Sequence, residues 1–307
     1  MGLKGQPQLQ ASRMIPPRRI ALSGGGMKGI AHIGALEVLQ SKGLLKHVNE
    51  YLGTSAGALI SLCLVIGYSL SELNTLSCVF DFSQTQNLEL DTMIQCIDIL
   101  GFDDGRNVEK FLSVLIRAKG LPDTITFEEF YRRRPSAPSL RVFATDLNTM
   151  SSIEFSKKTP RVSLSFAVRA SMTIPLIFTP LRHPITNHIV VDGALVSHFP
   201  FYHMTDEERK DAIGIAFNIN SNADPNETPK FIDYIMKCYM STYKDNDREL
   251  FSKWNHRIIN IECDEHVTIK FYATKKEKED IINTGRNSAI AYFSRAYVKP
   301  LRRYSLP

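Results

Sequence analysis

The first residue whose type and setting could do chemistry is Ser55. It lies in the segment Gly53-Thr54-Ser55-Ala56-Gly57, which fits the pattern G-x-S-x-G. In this pattern the serine stands on a sharp turn from a strand into a helix, and the glycines leave room for the strained backbone. The sequence therefore predicts a nucleophile at Ser55, on an elbow formed by its four neighbours.

The flanking sequence fits a strand-to-helix turn. Residues 48–52 predict a short strand, and residues 56–66 predict a strongly apolar helix. The N-terminus of that helix would favour negative charge that develops beside Ser55. Asn49 and Glu50 fit less well, because a buried strand usually carries apolar side chains. A glycine turn without a catalytic role is the alternative.

Asp192 is the candidate base. The triplet Asp192-Gly193-Ala194 follows a predicted strand over Ile189 to Val191, so the carboxylate would point from a strand end into a cleft. A solvated aspartate is a weak base, whereas burial raises the pKa of a carboxyl group and lets it accept a serine proton directly. The alternative is an ordinary Asp-Gly turn.

A histidine could complete a triad in the chain order serine, acid, histidine. Four histidines follow the candidate acid, namely His198, His203, His256 and His266. None of them lies in a recognisable motif, and direct proton transfer between serine and aspartate needs no histidine. A dyad of Ser55 and Asp192 and a triad with one of these histidines both remain open at this point.

A run of glycines, Gly24-Gly25-Gly26-Met27-Lys28-Gly29, lies between a predicted strand and a predicted helix. Successive glycines can turn several backbone N–H groups toward one point and so bind an anion. Beside a nucleophilic serine the anion would be the tetrahedral oxyanion, which fixed donors stabilise by roughly several kcal/mol. We predict an oxyanion hole in this run.

The same glycines allow a second interpretation. Gly24, Gly26 and Gly29 match the G-x-G-x-x-G of dinucleotide-binding folds, and Glu50 follows at about the distance of the ribose-binding acid. The next predicted strand, however, leads straight into the Ser55 turn, which such a fold does not need. A nucleotide P-loop is excluded, because no Gly-Lys-Ser/Thr follows the glycines.

The composition is that of a globular protein. Of 307 residues, 43% are hydrophobic and 22% are charged, which allows a sizeable core. The net charge of +5 could attract an acidic lipid surface, whereas the basic runs are too short and too poor in aromatic residues to predict nucleic-acid binding. Five widely spaced cysteines predict free thiols in a reducing compartment. No metal-binding motif is present, and we expect neither a metal nor a cofactor.

We expect a flexible arm over residues 1–17, one domain over 18–300 and a short tail over 301–307. The arm has no apolar stretch typical of a secretory signal, and the longest apolar run, Ala58 to Gly67, is too short to span a bilayer. The predicted location is therefore intracellular, in the cytoplasm or peripheral on a membrane. Predicted strands alternate with helices, which indicates an α/β layered domain with a largely parallel sheet. Residues 173–184 are predicted to form a loop.

Five segments together resemble the motifs of patatin-like phospholipases, in the family's order. They are the glycine run 24–29, the elbow 53–57, the Ala-Thr-Asp-Leu stretch 144–147, the serine-proline-phenylalanine loop 171–180 and the triplet 192–194. Any one of these motifs is weak evidence, whereas five in order are highly specific. The similarity is good over residues 18–218 and continues weakly through the helix near Thr284-Gly285.

The resemblance implies a three-layer α/β/α fold with a largely parallel central sheet. It also implies metal-independent hydrolysis of acyl esters in phospholipids, lysophospholipids or neutral lipids, with Ser55 as nucleophile and Asp192 as general base. Backbone amides near Gly25 and Gly26, with the amide of Ala56 as a further donor, would hold the oxyanion. The implied partners are a phospholipid or other acyl-lipid substrate and a membrane surface; no protein partner is indicated.

The sequence departs from the family at one position near the acid. Relatives commonly have asparagine two residues before the proline that follows the acid motif, and here His198 precedes Pro200. Together with the polar Asn49 and Glu50, this favours an alternative, namely a lipid-binding protein that keeps the fold but lacks useful turnover. Lys28 stands where relatives often have arginine, a change that should be tolerated.

One apolar segment offers a surface for lipid. Its side chains recur at helical spacing and predict one helix face, which would either pack on the core or dock on a membrane near Ser55. They are Met93, Ile94, Ile97, Leu100 and Phe102.

Overall fold

The fold is described from a computed structural model of the chain. The structure describes residues 15–85, 96–217, 234, 237, 238, 241, 244–263 and 272–295. Residues 1–14 of the predicted arm and the whole predicted tail, 301–307, lie outside these residues.

Short apolar runs rich in β-branched residues form the strands, as their propensity predicts. They are β1 (Arg19–Leu22), β2 (Glu50–Thr54), β3 (Gly101–Asp103), β4 (Ser139–Asp146), β5 (Ser151–Phe155), β6 (Leu176–Phe178), β7 (Leu181–Arg182), β8 (Ile189–Asp192), β9 (Ala212–Phe217) and β10 (Ile258–Ile261).

Within the described ranges, the main sheet has the strand order β10-β9-β1-β2-β4-β8-β7, and β5 also pairs with β4. The five strands from β10 to β4 are parallel to one another. Strands β5 and β8 run antiparallel to β4, and β7 runs antiparallel to β8. Strands β3 and β6 form a separate parallel pair.

Helices connect most of these strands. They are α1 (Ala31–Ser41), α2 (Ala56–Val65), α3 (Leu70–Val79), α4 (Cys96–Ile99), α5 (Arg106–Ala118), α6 (Phe127–Arg133), α7 (Leu164–Ser171), α8 (Ala194–Ser197), α9 (Asp206–Lys210), α10 (Lys244–Trp254) and α11 (Lys275–Arg295). Among the described residues, no helix is both long and apolar enough to cross a bilayer.

Alternate residues of the sheet face two separate cores, as the period of a strand requires. Ile20 and Leu22 of β1 belong to the larger core, which packs beneath α1, α2, α3, α5, α7 and α11. Ala21 between them belongs to the smaller core on the other face, with Phe199 and Trp254. The domain is therefore the three-layer α/β/α fold with a largely parallel sheet that the sequence predicted.

The polar start of β2 has a structural explanation. Glu50 is the first residue of the strand, and its carboxylate accepts a hydrogen bond from Arg19 Nε at 2.8 Å. Arg19 also binds the Asp211 carboxylate at the same end of the sheet. The polar residues therefore lie at the rim, and the strand continues to Thr54, two residues beyond its predicted end.

Two predictions for the connecting segments were wrong. Residues 173–184 contain β6 and β7 rather than only loop, because β6 pairs with the distant β3 through Gly101 and Leu176, a contact that local sequence does not encode. The helix predicted through residue 102 ends at Ile99, Leu100 has a φ of 59°, and Phe102 lies in β3. Residues 93–95 lie outside the described ranges.

Candidate active site

Ser55 lies on the turn between β2 and α2, as predicted. Its backbone has a φ of 53° and a ψ of −121°, a conformation that costs a non-glycine residue about 1–3 kcal/mol. A Cβ at Gly53 would come within 2.4 Å of the Gly57 carbonyl oxygen, and a Cβ at Gly57 within 2.2 Å of the Leu22 carbonyl oxygen. Both positions thus require glycine, which explains the spacing of the elbow motif.

The elbow is held by a buried serine, Ser171, which is the last residue of α7. The backbone N–H of Ser55 donates to Ser171 Oγ at 2.8 Å, and the Ser171 hydroxyl donates to the Phe143 carbonyl of β4 at 2.5 Å. Ser171 has no exposed surface. The sequence analysis noted Ser171 only as part of a family motif and missed this role, because no local pattern reveals a contact across 116 residues.

Asp192 is the last residue of β8 and is 1% exposed. Its backbone N–H donates to the Thr173 carbonyl at 2.7 Å, and its Oδ1 accepts the N–H of Ala194 at 2.8 Å. This second contact orients the carboxylate and explains why the residues after the acid form a tight turn. The carboxylate is therefore fixed by backbone groups at the end of a strand, where the sequence placed it.

The sheet brings the elbow and the acid motif to the same place. In β4, Phe143 pairs with Thr54 and the next residue, Ala144, pairs with Asp192. Two strand spacings, about 10 Å of sheet, therefore separate the two motifs. A Cβ at Gly193 would lie 3.0 Å from the Thr54 side chain, so the two turns are in contact.

The glycine run lies against Ser55. A Cβ at Gly24 would lie 3.4 Å from Ser55 Cβ, and one at Gly29 would lie 2.5 Å from Ala56 Cβ. The run passes into a 3-10 helix, Gly26–Ile30, whose first residues border the same cavity as Ser55. The first backbone amides of a helix have no partner within it, which suits them to bind an anion.

Two backbone amides of the run already donate hydrogen bonds to carbonyl oxygens. The N–H of Gly24 donates to the His198 carbonyl, and the N–H of Lys28 donates to the Gly25 carbonyl, each at 3.0 Å. The amides of Gly25, Gly26 and Met27 stand between them, at the start of the 3-10 helix.

His198 packs behind the glycine run. Its ring Nδ1 lies 3.2 Å from the position of a Cβ at Gly24, and the residue is 7% exposed. Burial, together with repulsion by the nearby Lys28 and His32, lowers the pKa of His198 to about 3. The imidazole is therefore neutral at physiological pH and a very weak proton acceptor.

The other candidate histidines occupy structural positions or lie outside the described residues. His203 stacks on Phe143 with ring centroids 4.3 Å apart, and burial lowers its pKa to about 4. Burial also lowers the pKa of His256. His266 lies outside the described residues.

An apolar pocket begins at Ser55 and extends between the helices of the larger core. Its empty volume, including the open mouth, is about 950 Å³. Its walls are formed by Gly26, Met27, Gly29, Ile30, Ile33, Ala56, Leu59, Ile60, Cys63, Leu73, Leu76, Ser77, Val108, Phe111, Leu115, Met172, Ile174 and Phe178. Such a surface suits a hydrocarbon chain and offers little to a polar ligand.

The structure contradicts the dinucleotide interpretation. Glu50 pairs with Arg19 at the start of β1, whereas the glycine run follows the end of that strand, so the acid and the glycines lie at opposite ends of the sheet. A ribose-binding acid must lie near the glycine turn. Among the described residues, no three His, Cys, Asp or Glu side chains gather as they would to hold a metal ion.

Residues 20–205 match a family model described as patatin-like phospholipase. The chain belongs to the patatin-like phospholipase family. This match confirms the resemblance drawn from the five motifs. It covers the glycine run, the elbow and the acid triplet in one alignment.

Relatives match this patatin-like chain over most of its length. The uncharacterized protein YqhO of Bacillus subtilis is 30% identical in an alignment of 282 positions that covers 86% of this chain and 94% of the relative. The probable lipid hydrolase 463L of invertebrate iridescent virus 6 is 24% identical over 89% of this chain and 87% of its own.

Solved structures share the fold. VipD from Legionella pneumophila superposes with a TM-score of 0.57 at 15% identity, covering 92% of this chain and 67% of VipD. The type III effector ExoU of Pseudomonas aeruginosa gives a TM-score of 0.53 at 15% identity, covering 92% of this chain and 54% of ExoU. This patatin-like chain therefore spans about half of ExoU's length.

Proposed function

We propose that this chain is a lipid acyl hydrolase that cleaves fatty-acyl esters of phospholipids or related lipids. The observation that carries the proposal is the apolar pocket that begins at the strained Ser55 elbow in a patatin-like phospholipase. The name of the viral relative, a probable lipid hydrolase, supports the same class of reaction.

In the first half of the reaction, Ser55 Oγ attacks the ester carbonyl carbon and its proton passes to the Asp192 carboxylate. The resulting oxyanion is stabilised by backbone amides and by the N-terminal dipole of α2. We assign Gly25, Gly26 and Met27 as the donors, with Ala56, because the amides of Gly24 and Lys28 have other acceptors. The intermediate then collapses, Asp192 returns its proton to the leaving alcohol oxygen, and the acyl group stays on Ser55.

In the second half, water attacks the acyl carbon while its proton passes to Asp192. The new tetrahedral oxyanion occupies the same hole. When the bond to Ser55 Oγ breaks, Asp192 returns the proton to the serine, and the fatty acid leaves. The enzyme ends in its starting protonation state, and no group beyond water and the ester is consumed.

The buried surroundings favour this assignment of the base. His198 is the only candidate histidine that contacts the glycine run among the described residues, and its lowered pKa makes it a poor competitor for the serine proton. Asp192 is fixed by the N–H of Ala194 and lies beside the elbow across one strand. A carboxylate that is held in place loses little freedom when the reaction begins.

A lipid surface would meet the protein at two exposed leucines. Leu100 and Leu176 are 55% and 51% exposed, and both have positive φ, of 59° and 68°. The pairing of Gly101 with Leu176 places them side by side, and Leu176 stands between Ile174 and Phe178 of the pocket wall. Strained backbone of this kind often marks a functional segment. We infer that these leucines contact the bilayer from which the substrate enters.

A protein that binds lipid without turnover is the second candidate function, favoured by His198 in place of the family's usual asparagine. Release of fatty acid from phospholipid vesicles separates the two. Wild type should hydrolyse, whereas Ser55→Ala and Asp192→Asn should each lose roughly 10³-fold or more in rate. Ser61→Ala, which alters a buried serine on the far side of the elbow helix, is the matched control. Lipid binding without hydrolysis by wild type would establish the second function instead.

A further inference from the structure

The pocket follows one face of α2. Ala56, Leu59, Ile60 and Cys63 line it at spacings of three and four residues, which places them on a single helical stripe. Ser55 immediately precedes the helix, and Cys63 comes eight residues later. At the rise of an α-helix the two positions lie about 12 Å apart along the axis.

Helix α5 forms the wall of the pocket opposite α2, and the C-terminal ends of the two helices lie side by side. Val108, Phe111 and Leu115 line the pocket along α5. The ends of the two helices are tied together by Arg134, whose guanidinium donates to the carbonyl oxygens of Ile66 and Lys119, each at 2.6 Å. The side chains that line the pocket at this end are buried, so the pocket is closed opposite Ser55.

Three buried side chains form this closed end. Cys63, Leu73 and Leu115 come from α2, α3 and α5 and are 2%, 4% and 3% exposed. The Tyr68 hydroxyl donates to the Leu115 carbonyl at 3.0 Å and fixes the last turn of α5 beside the end of α2. A hydrocarbon chain that enters from Ser55 would meet these three side chains with its methyl end.

We propose that Cys63, Leu73 and Leu115 form a floor that sets the length of the acyl group, and that the site selects medium-length chains of about ten carbons. An extended chain advances about 1.25 Å per carbon–carbon bond, so about ten carbons fill the 12 Å between the nucleophile and the floor. The inference rests on the proposed function, because it places the scissile carbonyl at Ser55. A longer chain must bend or leave methylenes in water at the mouth.

Cys63 suits the floor chemically. Burial raises the pKa of its thiol to about 12, so it stays protonated at neutral pH. A protonated, buried thiol behaves as a small apolar group rather than as a second nucleophile. Its small volume also makes it the floor position where a larger residue most directly shortens the pocket.

The test is a series of monomeric p-nitrophenyl esters from four to sixteen carbons. In wild type, kcat/KM should rise about fourfold per methylene up to about ten carbons and then level off or fall. We call the chain length at which kcat/KM stops rising the break. Cys63→Leu should move this break to chains about two carbons shorter, because the added side chain takes up that length. Leu115→Ala should move it to longer chains, a change that simple destabilisation does not produce.

The control is Leu62→Ala, which removes the same atoms from a fully buried leucine on α2 outside the pocket wall. Its break should stay at the wild-type length. If Cys63→Leu or Leu115→Ala fails to fold, Cys63→Met should replace the first and Leu115→Val the second. Cys63→Met should likewise shorten the chain length at the break, and Leu115→Val should lengthen it. A break that stays put in folded floor variants, or a rate that keeps rising to sixteen carbons, would overturn the proposal.

Binding separates this inference from the proposed function. Saturated fatty acids of the same lengths can be titrated into the Ser55→Ala protein against a fluorescent fatty-acid probe. Affinity should show the same break and the same shifts in the floor variants. If affinity shows the break but the wild type hydrolyses no ester, the floor is supported and the hydrolase function is rejected. If the wild type hydrolyses esters but neither affinity nor kcat/KM shows a break, only the floor is rejected.

Discussion

The backbone amide of Ser55 donates its hydrogen bond to the hydroxyl of Ser171, which in turn donates to the Phe143 carbonyl. The strained backbone of Ser55 is thus held by the last residue of α7 and, through it, by the central strand β4. A sparsely populated conformation persists only when its surroundings hold it in place. The contact gives Ser171 a positioning role that involves no substrate contact.

Replacing this serine should damage both stability and rate. Ser171→Ala leaves a buried amide and a buried carbonyl without their partner, which costs about 1–3 kcal/mol of unfolding free energy. It should also lower kcat more than it raises KM, because the elbow relaxes while the pocket stays intact. Urea denaturation and steady-state kinetics on one soluble ester measure the two effects.

Ser61→Ala is the matched control, since Ser61 is equally buried and its hydroxyl makes a single longer bond of 3.3 Å to the Leu52 carbonyl. It should lose some stability with kcat close to wild type. Equal losses of kcat in the two variants would show that Ser171 acts only through general stability.

The fold and the positions of the candidate site residues within it could be predicted because their signals are local. The G-x-S-x-G spacing reflects close backbone approach at Gly53 and Gly57, and the alternation of Ile20, Ala21 and Leu22 between two cores reflects the period of a strand. Such requirements apply within a few residues of the chain and remain visible in its sequence.

The rest depends on contacts between distant segments. The pairing of β3 with β6, the bond from Ser55 to Ser171 and the bond from Arg134 to Ile66 each join residues far apart in sequence. No periodicity or spacing encodes them. The prediction of a helix through Phe102 was wrong for the same reason. Pairing of β3 with the distant β6 overrides the helical spacing of the apolar residues.

Acid should destabilise the protein through His198. Its pKa is about 3 in the folded state and about 6.5 when unfolded, so between these values the unfolded state binds more protons and stability falls as pH falls. His198→Asn should remove this part of the dependence. Between pH 6.5 and 5 the wild type should lose up to about 2 kcal/mol more than the variant.

Unfolding free energies at several pH values measure this difference. His47→Asn, at an exposed histidine, is the control and should follow the wild-type curve. Some dependence should remain in His198→Asn, because burial also lowers the pKa of His32 to about 4. Parallel curves for wild type and His198→Asn would contradict the buried, neutral state of this imidazole.

Docking on lipid should depend on Leu176. Leu176→Asp places a charge on the exposed pair beside the pocket, so hydrolysis of phospholipid vesicles should fall at least tenfold while hydrolysis of a soluble short-chain ester is retained. Ile290→Asp, at an exposed residue of α11, should affect neither substrate. Equal rates on vesicles for wild type and Leu176→Asp would remove these leucines from the membrane surface.

The central claim is that Ser55 is an activated nucleophile, and a fluorophosphonate probe tests it most directly because only an activated serine forms a stable adduct. Intact mass spectrometry and peptide mapping of wild type, Ser55→Ala and Asp192→Asn give the stoichiometry and the site. We expect one adduct per wild-type chain, located on Ser55, no adduct on Ser55→Ala and much slower labelling of Asp192→Asn. An unlabelled wild-type protein that is folded, or an adduct on another residue, would contradict it.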